Sequence, residues 1–320
     1  MDRRRFLTMT SLAIGGPGLT FLLGGCRQDD PLRVSYHPWI GYETLYLAER
    51  FNWLPEAVTL TRRQSASSSL AALRDDQTDA AALTLDEVIR ARLDGIDLVV
   101  VMVFNVSAGA DALVVHDSIK HLAQLEGKRI GAEASAVGEM LLDRVLEKAG
   151  LIREDVIVVD VAVDRHIPAW ESGEVDALVS YEPTVSRLRQ LGAVRLVDSR
   201  DFPDTIFDVL AVRRDAMENA ERTLFGLVDS HFRALDHVRS NRQDALYRIA
   251  DVEAISPEDA RRAFGGVLLP DRRANRRYLG SGSRLMVAAD EIERRLGGGD
   301  GMDKDWFTDA FLPRVGAHAG

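Results

Sequence analysis

Leu98 to Phe104 reads LVVVMVF, an apolar run with no polar position to turn toward water. A strand of this kind is buried on both faces, as in parallel sheets covered by helices on either side. The run therefore asks for an α/β fold. The rest of the chain must supply strands to pair with it and helices to cover it.

It does so in strand–loop–helix units. Leu32–Tyr36 predicts a strand that stops at Pro38, which has no N–H for a ladder and pushes His37 toward extended geometry. Gly41 permits the turn that follows. Apolar residues at 42, 45, 46, 48 and 51 then follow helical spacing. Val58–Arg62 alternates as a strand. The serine cluster Ser65–Ser69 leads into a helix over about 70–75, either as plain N-cap chemistry or as hydroxyls offered to a ligand. Asp79–Thr84 predicts a short buried strand, and Thr84 with Glu87 three residues on predicts a capping box opening the next helix. After the strand Ala112–Val115 a second series begins. Its strands are expected at 129–132, 156–159, 177–180 and 194–197, with helices up to Lys148, over 167–172 and from 184 to 191. Ile206–Val212 predicts a strand that returns to the first series. Beyond Arg213 the spacing is helical at about 216–240, 243–251, 257–264 and 282–296, and a small terminal helix is expected from Asp303 to Leu312. No repeat of fixed period is present. Two α/β lobes with a cleft between them follow, residues 32–113 plus 210–320 forming lobe 1 and residues 114–209 lobe 2, with a helical C-terminal segment.

The chain has 320 residues, 28% of them charged, and a formal charge of −10. Residues 1–25 resemble a signal peptide. Arg3-Arg4-Arg5-Phe6-Leu7 is similar to the twin-arginine export signature, although arginine-rich starts also serve general secretion. Leu23-Gly24-Gly25-Cys26 resembles a lipobox, which makes Cys26, the single cysteine, the expected lipidation site; an incidental cysteine is the alternative. Residues 27–31 form a linker. Loss of three Arg and one Asp with the signal leaves a mature charge of about −12, which argues against nucleic-acid binding and broad adhesion to anionic membranes. One cysteine allows no internal disulfide and no thiolate metal cluster. No P-loop, glycine-rich dinucleotide fingerprint or HExxH spacing is present. No catalytic residue, metal or cofactor is therefore assigned.

Several short motifs, in order, are similar to one family. They are Trp39-x-Gly41-Tyr42 with Tyr46 and Ala48, Asp79-Ala80-Ala81, Gly109-Ala110-Asp111 before Leu113-Val114-Val115, Leu125-x-Gly127-Lys128-x-Ile130-Gly131, Ser172 to Ala177, and Tyr181-Glu182-Pro183. They resemble substrate-binding proteins of ABC importers in the nitrate, sulfonate, taurine, bicarbonate and thiamine-precursor group. The resemblance runs from about residue 32 to 213. It implies a periplasmic-binding-protein fold of type II, with two crossover strands and hinge closure on a small molecule. It also implies permease and ATPase partners, and a monomer on the extracytoplasmic side of a membrane. An enzyme or a receptor-partner sensor on the same fold are the alternatives.

The loops at the strand ends supply the candidate ligand residues. Trp39 and Tyr42 would form an aromatic wall, or cap the lobe core. Glu43, Asp86 and Glu139 are first-turn acids that the helix dipole alone also explains. Ser65 and Thr84 are caps at the same edge. Tyr181 and Glu182 precede Pro183; the resemblance gives Glu182 an alternative role in bracing the hinge, as the family uses an acid-Pro pair there. Ser107 is a further candidate, and Asp111 and Asp208 lie on the crossovers, where a hinge role competes with a ligand role. Ser135 and Gly138 open a helix whose N–H groups would hold an anionic end. Acids outnumber the nearby bases His37, Arg62, Arg63, Arg165 and His166. A buried acid needs a partner. The ligand is thus expected to carry a cationic or donating end, as an amine, aminopyrimidine, or amino-sulfonate or amino-phosphonate zwitterion. A simple anion is disfavoured by the lack of an arginine clamp, and Ala134-Ser135 departs from the Gly-Ser common in sulfonate binders.

Overall fold

The structure, a computed structural model, describes residues 30–134, 137–297 and 305–314. The signal peptide and Cys26 lie outside them, as does Ser135.

The first half runs β1 (Leu32–Tyr36), α1 (Glu43–Arg50), β2 (Val58–Arg62), α2 (Ala66–Arg74), β3 (Ala80–Thr84), α3 (Leu85–Leu93) and β4 (Leu98–Ser107). The chain then crosses to β5 (Asp111–Val115), β6 (Arg129–Ala132), α4 (Val137–Ala149), β7 (Ile157–Asp160), α5 (His166–Glu171), β8 (Ala177–Tyr181), α6 (Thr184–Gln190) and β9 (Val194–Asp198). It crosses back to β10 (Phe207–Arg213), followed by α7 (Arg214–Asn219), α8 (Glu221–Ser240), α9 (Arg242–Val252), α10 (Pro257–Phe264), β11 (Val267–Leu268), α11 (Arg272–Leu279) and α12 (Arg284–Arg295).

The six-stranded sheet has the order β11-β4-β10-β3-β1-β2, and the five-stranded sheet β7-β6-β8-β5-β9. Each contains one strand that arrives from the other half of the chain. β10 lies antiparallel between β3 and β4, and β5 lies antiparallel between β8 and β9. The passages between the sheets are short, at residues 108–110 and 199–206. They fall slightly before the expected lobe limits: Asp111–Leu113 pairs in the second sheet and Phe207–Val209 in the first. The Leu98–Phe104 run is buried throughout, as its composition demands, but both its strand neighbours are antiparallel. Long-range crossover, rather than composition, decides that.

The two halves repeat one device. Arg33 at the start of β1 forks onto Asp79: Nε donates to Oδ2 at 2.9 Å, and the Arg33 backbone N–H reaches the same oxygen at 2.8 Å. In the second sheet the Arg129 Nε and backbone N–H donate to Asp176 Oδ2 at 3.1 and 2.9 Å. Asp79 and Asp176 thus clasp equivalent strands at the sheet ends away from the cleft.

β4 forms one side of the first sheet's core, and its outer edge is closed piece by piece. β11 pairs with Val106 and Ser107. The buried Asn275 side chain accepts from Val103 N at 2.7 Å and donates to Val103 O at 3.1 Å, standing in for a strand. Val100 donates to Trp306 O at 2.7 Å and accepts from Thr308 N at 3.0 Å. An edge covered at these points offers less backbone to a second chain. This is where the terminal segment departs from expectation: residues 305–314 form turns and a β-bridge, not a helix, because Trp306 is buried against the edge of β4. The expected 216–240 helix is two helices broken at Ala220, and α11 is additional.

Candidate functional site: the cleft between the lobes

The cleft forms where the C-terminal ends of β1, β3 and β4 meet those of β6 and β8. The turn after β1 carries Trp39 and Tyr42 inward. Gly41 is required here by close approach: a Cβ on it would lie 1.9 Å from the Asn105 side-chain amide and 2.6 Å from Trp39 Nε1. With its amide nitrogen facing the carboxyl, Asn105 donates to Asp208 Oδ2 at 2.9 Å and accepts from Trp39 Nε1 at 3.1 Å. Tyr42 Oη donates to Asp208 Oδ1 at 2.6 Å. Both oxygens of Asp208 are therefore engaged, and this carboxyl holds the aromatic turn in place.

Lobe 2 contributes Tyr181, whose ring stands 5.5 Å from Trp39 and 6.2 Å from His37. His37, Trp39, Thr84, Glu87, Asp111, Tyr181 and Asp208 line a cavity of about 10 Å³. That is about the room of one water, so an organic ligand enters only when the lobes part. Polar bonds across the cleft hold them together. Ser67 N–H and Oγ donate to Glu133 Oε1, Arg90 pairs with Glu139 at 2.9 Å, and Arg144 with Glu291 at 2.6 Å. On the other flank Gln190 donates to Asp259 at 2.9 Å and Arg187 to the Glu253 carbonyl.

The cleft is acidic and dry. Burial pushes Asp111 up to about 7 and drives Asp208 and Glu87 well above the carboxylate range; the neighbouring Asp86 charge adds to Glu87. Asp111 Oδ2, Glu87 Oε1 and Tyr181 Oη have no hydrogen-bond partner among the described residues. His37 supplies no positive charge, since burial, aided by Arg62, lowers it to about 3. Among the described residues, no Arg or Lys lines this cavity. Chemically, the site offers acid groups and hydroxyls between aromatic rings, with Asp111 and Glu87 each keeping an oxygen free for a donor.

The sequence candidates divide. Trp39, Tyr42, Thr84, Asp111, Tyr181 and Asp208 come together at the cleft. Glu43 does not line the cavity: its buried carboxyl lies 3.7 Å from Arg62, beside Glu253, and burial followed by the Glu253 charge raises it strongly. Ser65 is the N-cap of α2, accepting from Ser68 N at 3.2 Å. Ser107 Oγ meets Ser199 Oγ at 2.7 Å, which ties the two crossovers together. Glu139 is bound between Arg90 and Arg153. Glu182 accepts from Ser186 N and Arg195, and Arg195 also reaches the Gly109 carbonyl at 3.0 Å, so this acid braces a crossover. Gly138 brings the start of α4 within 2.9 Å, measured from a Cβ, of Glu133 N. Asp86 sits beside the cleft on α3. His166 is structural, bonded to Ser180 Oγ and Val161 O.

Glu87, Glu133, His37 and Asn105 were not among the expected ligand residues. Glu87 caps α3 as expected, its Oε2 accepting from Thr84 N at 2.8 Å, while its other oxygen turns to the cavity. A polar Asn directly after an apolar strand run was the available signal for Asn105.

The family model described as NMT1/THI5 like matches residues 44–245, more than half of the chain. A binding protein of Brucella abortus is 28% identical over 236 residues, 69% of this chain and 70% of its own. An aliphatic sulfonates-binding protein of Escherichia coli is 26% identical over 239 residues, 72% of this chain and 74% of its own. The solved alkanesulfonate-binding protein of Xanthomonas axonopodis pv. citri, bound to MOPS, superposes with a TM-score of 0.68 at 19% identity, covering 89% of this chain and 96% of that one. The fold is that of the periplasmic binding proteins. No helix among the described residues is long and apolar enough to cross a membrane.

Proposed function

Because the chain belongs to the NMT1/THI5-like family, we propose that it is the solute-binding component of an ABC importer, without catalysis of its own. It acts outside the cytoplasm, tethered by lipid on Cys26, with a permease and an ATPase as partners. Its ligand is a small organic molecule with a cationic or hydrogen-donating nitrogen end: an amine, an aminopyrimidine, or an amino-sulfonate or amino-phosphonate zwitterion. One observation carries the ligand class. Asp111, Glu87 and Asp208 converge on a cavity that no Arg or Lys lines among the described residues. A cation there restores the ionised form of an acid that burial alone disfavours. A bare sulfonate or nitrate meets three acids and no cationic side chain among the described residues of this lining. The likeness to sulfonate binders supports a zwitterion as the second choice, its anionic end toward the start of α4.

The test is mass spectrometry of whatever co-purifies with the mature protein, together with thermal shift in n-butylamine, 4-aminopyrimidine, taurine, butanesulfonate and nitrate. Amines or taurine are expected to stabilise, by about 2.7 kcal/mol at a hundredfold excess over Kd. Stabilisation by nitrate or butanesulfonate alone overturns the ligand class. A co-purified compound recovered unchanged supports binding, and its turnover refutes it. For the anchor, Cys26→Ser is expected to move the protein from the membrane fraction to the soluble one.

A further inference from the structure

A second, larger cavity lies farther along the seam between α3 and α4. Thr84 lines the cleft, and its Oγ1 donates to Asp86 Oδ1 at 2.6 Å. Asp86 is 1% exposed, and its Oδ2 has no hydrogen-bond partner among the described residues. One turn along α3, Arg90 turns its Nη2 to Glu139 at 2.9 Å, which leaves its Nε buried and likewise unbonded. Nε and Oδ2 stand 4.0 Å apart, too far for a hydrogen bond. Both residues line a cavity of about 50 Å³ that Met140 of α4 and Ile292 and Leu296 of α12 close with apolar surface.

A buried donor and a buried acceptor, neither satisfied, at this spacing suit one group that accepts from the first and donates to the second. A hydroxyl does both. An ammonium only donates and would face Arg90 and Arg295 on the cavity wall; a carboxylate only accepts and would face Asp86 and Asp143. The complement is therefore neutral and about the size of one hydroxymethyl group, and the compartment adjoins the cleft along two helices: Thr84 and Val137 line the cleft, Asp86 and Met140 the compartment.

We propose that this compartment is a second subsite that takes the hydroxyl end of a ligand whose nitrogen end occupies the cleft, so that the ligand class is an amino alcohol. The subsite rests on the cationic-ligand reading above, and the experiment separates the two. Titration calorimetry on the full mature protein compares n-alkylamines with ω-amino alcohols of two to six carbons, length for length. At one length the amino alcohol is expected to bind about tenfold tighter or more, the range for a hydrogen bond to a charged group. Met140→Trp, which fills the compartment, is expected to bring that ratio to about one. Ile292→Trp fills it from the opposite wall and serves if the first variant does not fold. Equal binding at every length overturns the subsite and leaves the amine reading standing. A ratio that survives a folded filling variant also overturns it. Failure of every amine to bind overturns both.

Discussion

Asp111 offers a direct measure of how dry the closed cleft is. Its carboxyl is 2% exposed at the start of β5, and burial pushes it from 3.8 to about 7. The folded chain keeps this proton up to about pH 7, and the unfolded chain only to about pH 4. The raised folded value fixes the sign: the stabilising contribution is complete below about pH 4 and is lost as the pH rises through about 7. Integrating the proton difference between about pH 5 and pH 8 gives a loss of roughly 2–3 kcal/mol from this one group. Asp111→Asn carries no proton to lose. Urea unfolding of the ligand-free protein at the two pH values is therefore expected to show a fall in stability for the natural chain that is roughly 2–3 kcal/mol smaller in the variant. Asp208 and Glu87 shift in the same direction and remain in both proteins; the Asp111 charge adds to the shift of Asp208, so the difference reads Asp111 together with its repulsion of Asp208. Equal slopes would refute a desolvated Asp111, and with it the acidic cleft.

Gly41→Ala drives a Cβ into Asn105 and Trp39; a loss of roughly 1–3 kcal/mol in urea unfolding is expected from overpacking, together with weaker ligand binding as Asp208 loses Asn105. Asn275→Leu leaves the buried Val103 N–H and C=O without partners, and each is expected to cost about 1–3 kcal/mol, read as a drop in midpoint with unchanged slope. Asp79→Ala and Asp176→Ala undo equivalent clasps, so thermal melts should show losses of about 1–2 kcal/mol each with ligand affinity unaltered; a large affinity change in either variant contradicts a purely structural clasp.

The strand–loop–helix units were legible because they rest on local periodicity and caps, as at Thr84–Glu87, where both the box and the helix occur as read. The sheet orders were less so. Nothing local in Phe207–Arg213 says that it inserts antiparallel between β3 and β4 rather than adding at an edge. The terminal segment was misread as a helix because its apolar spacing in fact serves Trp306 and Phe307 at the edge of β4. At the site, Trp39, Tyr42, Asp111, Tyr181 and Asp208 lie together at the cleft, because each sits at a strand end on the cleft side. First-turn acids were ambiguous, because one position on a helix gives no facing direction until the partner elements are known. Glu87 turned one oxygen inward, while Glu43 turned toward Arg62 and Glu139 toward Arg90 and Arg153. No fixed-period repeat marks the two clasps, because the resemblance between the halves lies in sheet order and in two Arg–Asp pairs, with insertions of different length between them.

The exchange of β5 and β10 sets an order of assembly in time. While the chain is being made, β3 and β4 emerge about a hundred residues before β10, the strand that joins them. Until then each presents an apolar edge with free N–H and C=O groups, the surface on which unfinished sheets associate wrongly. The second sheet has no such delay, since β5 precedes β8 and β9. Lobe 2 can therefore finish first and serve as the template that delivers β10 home, so a truncation just before Phe207 is the one that leaves a completed second sheet attached to an open first one.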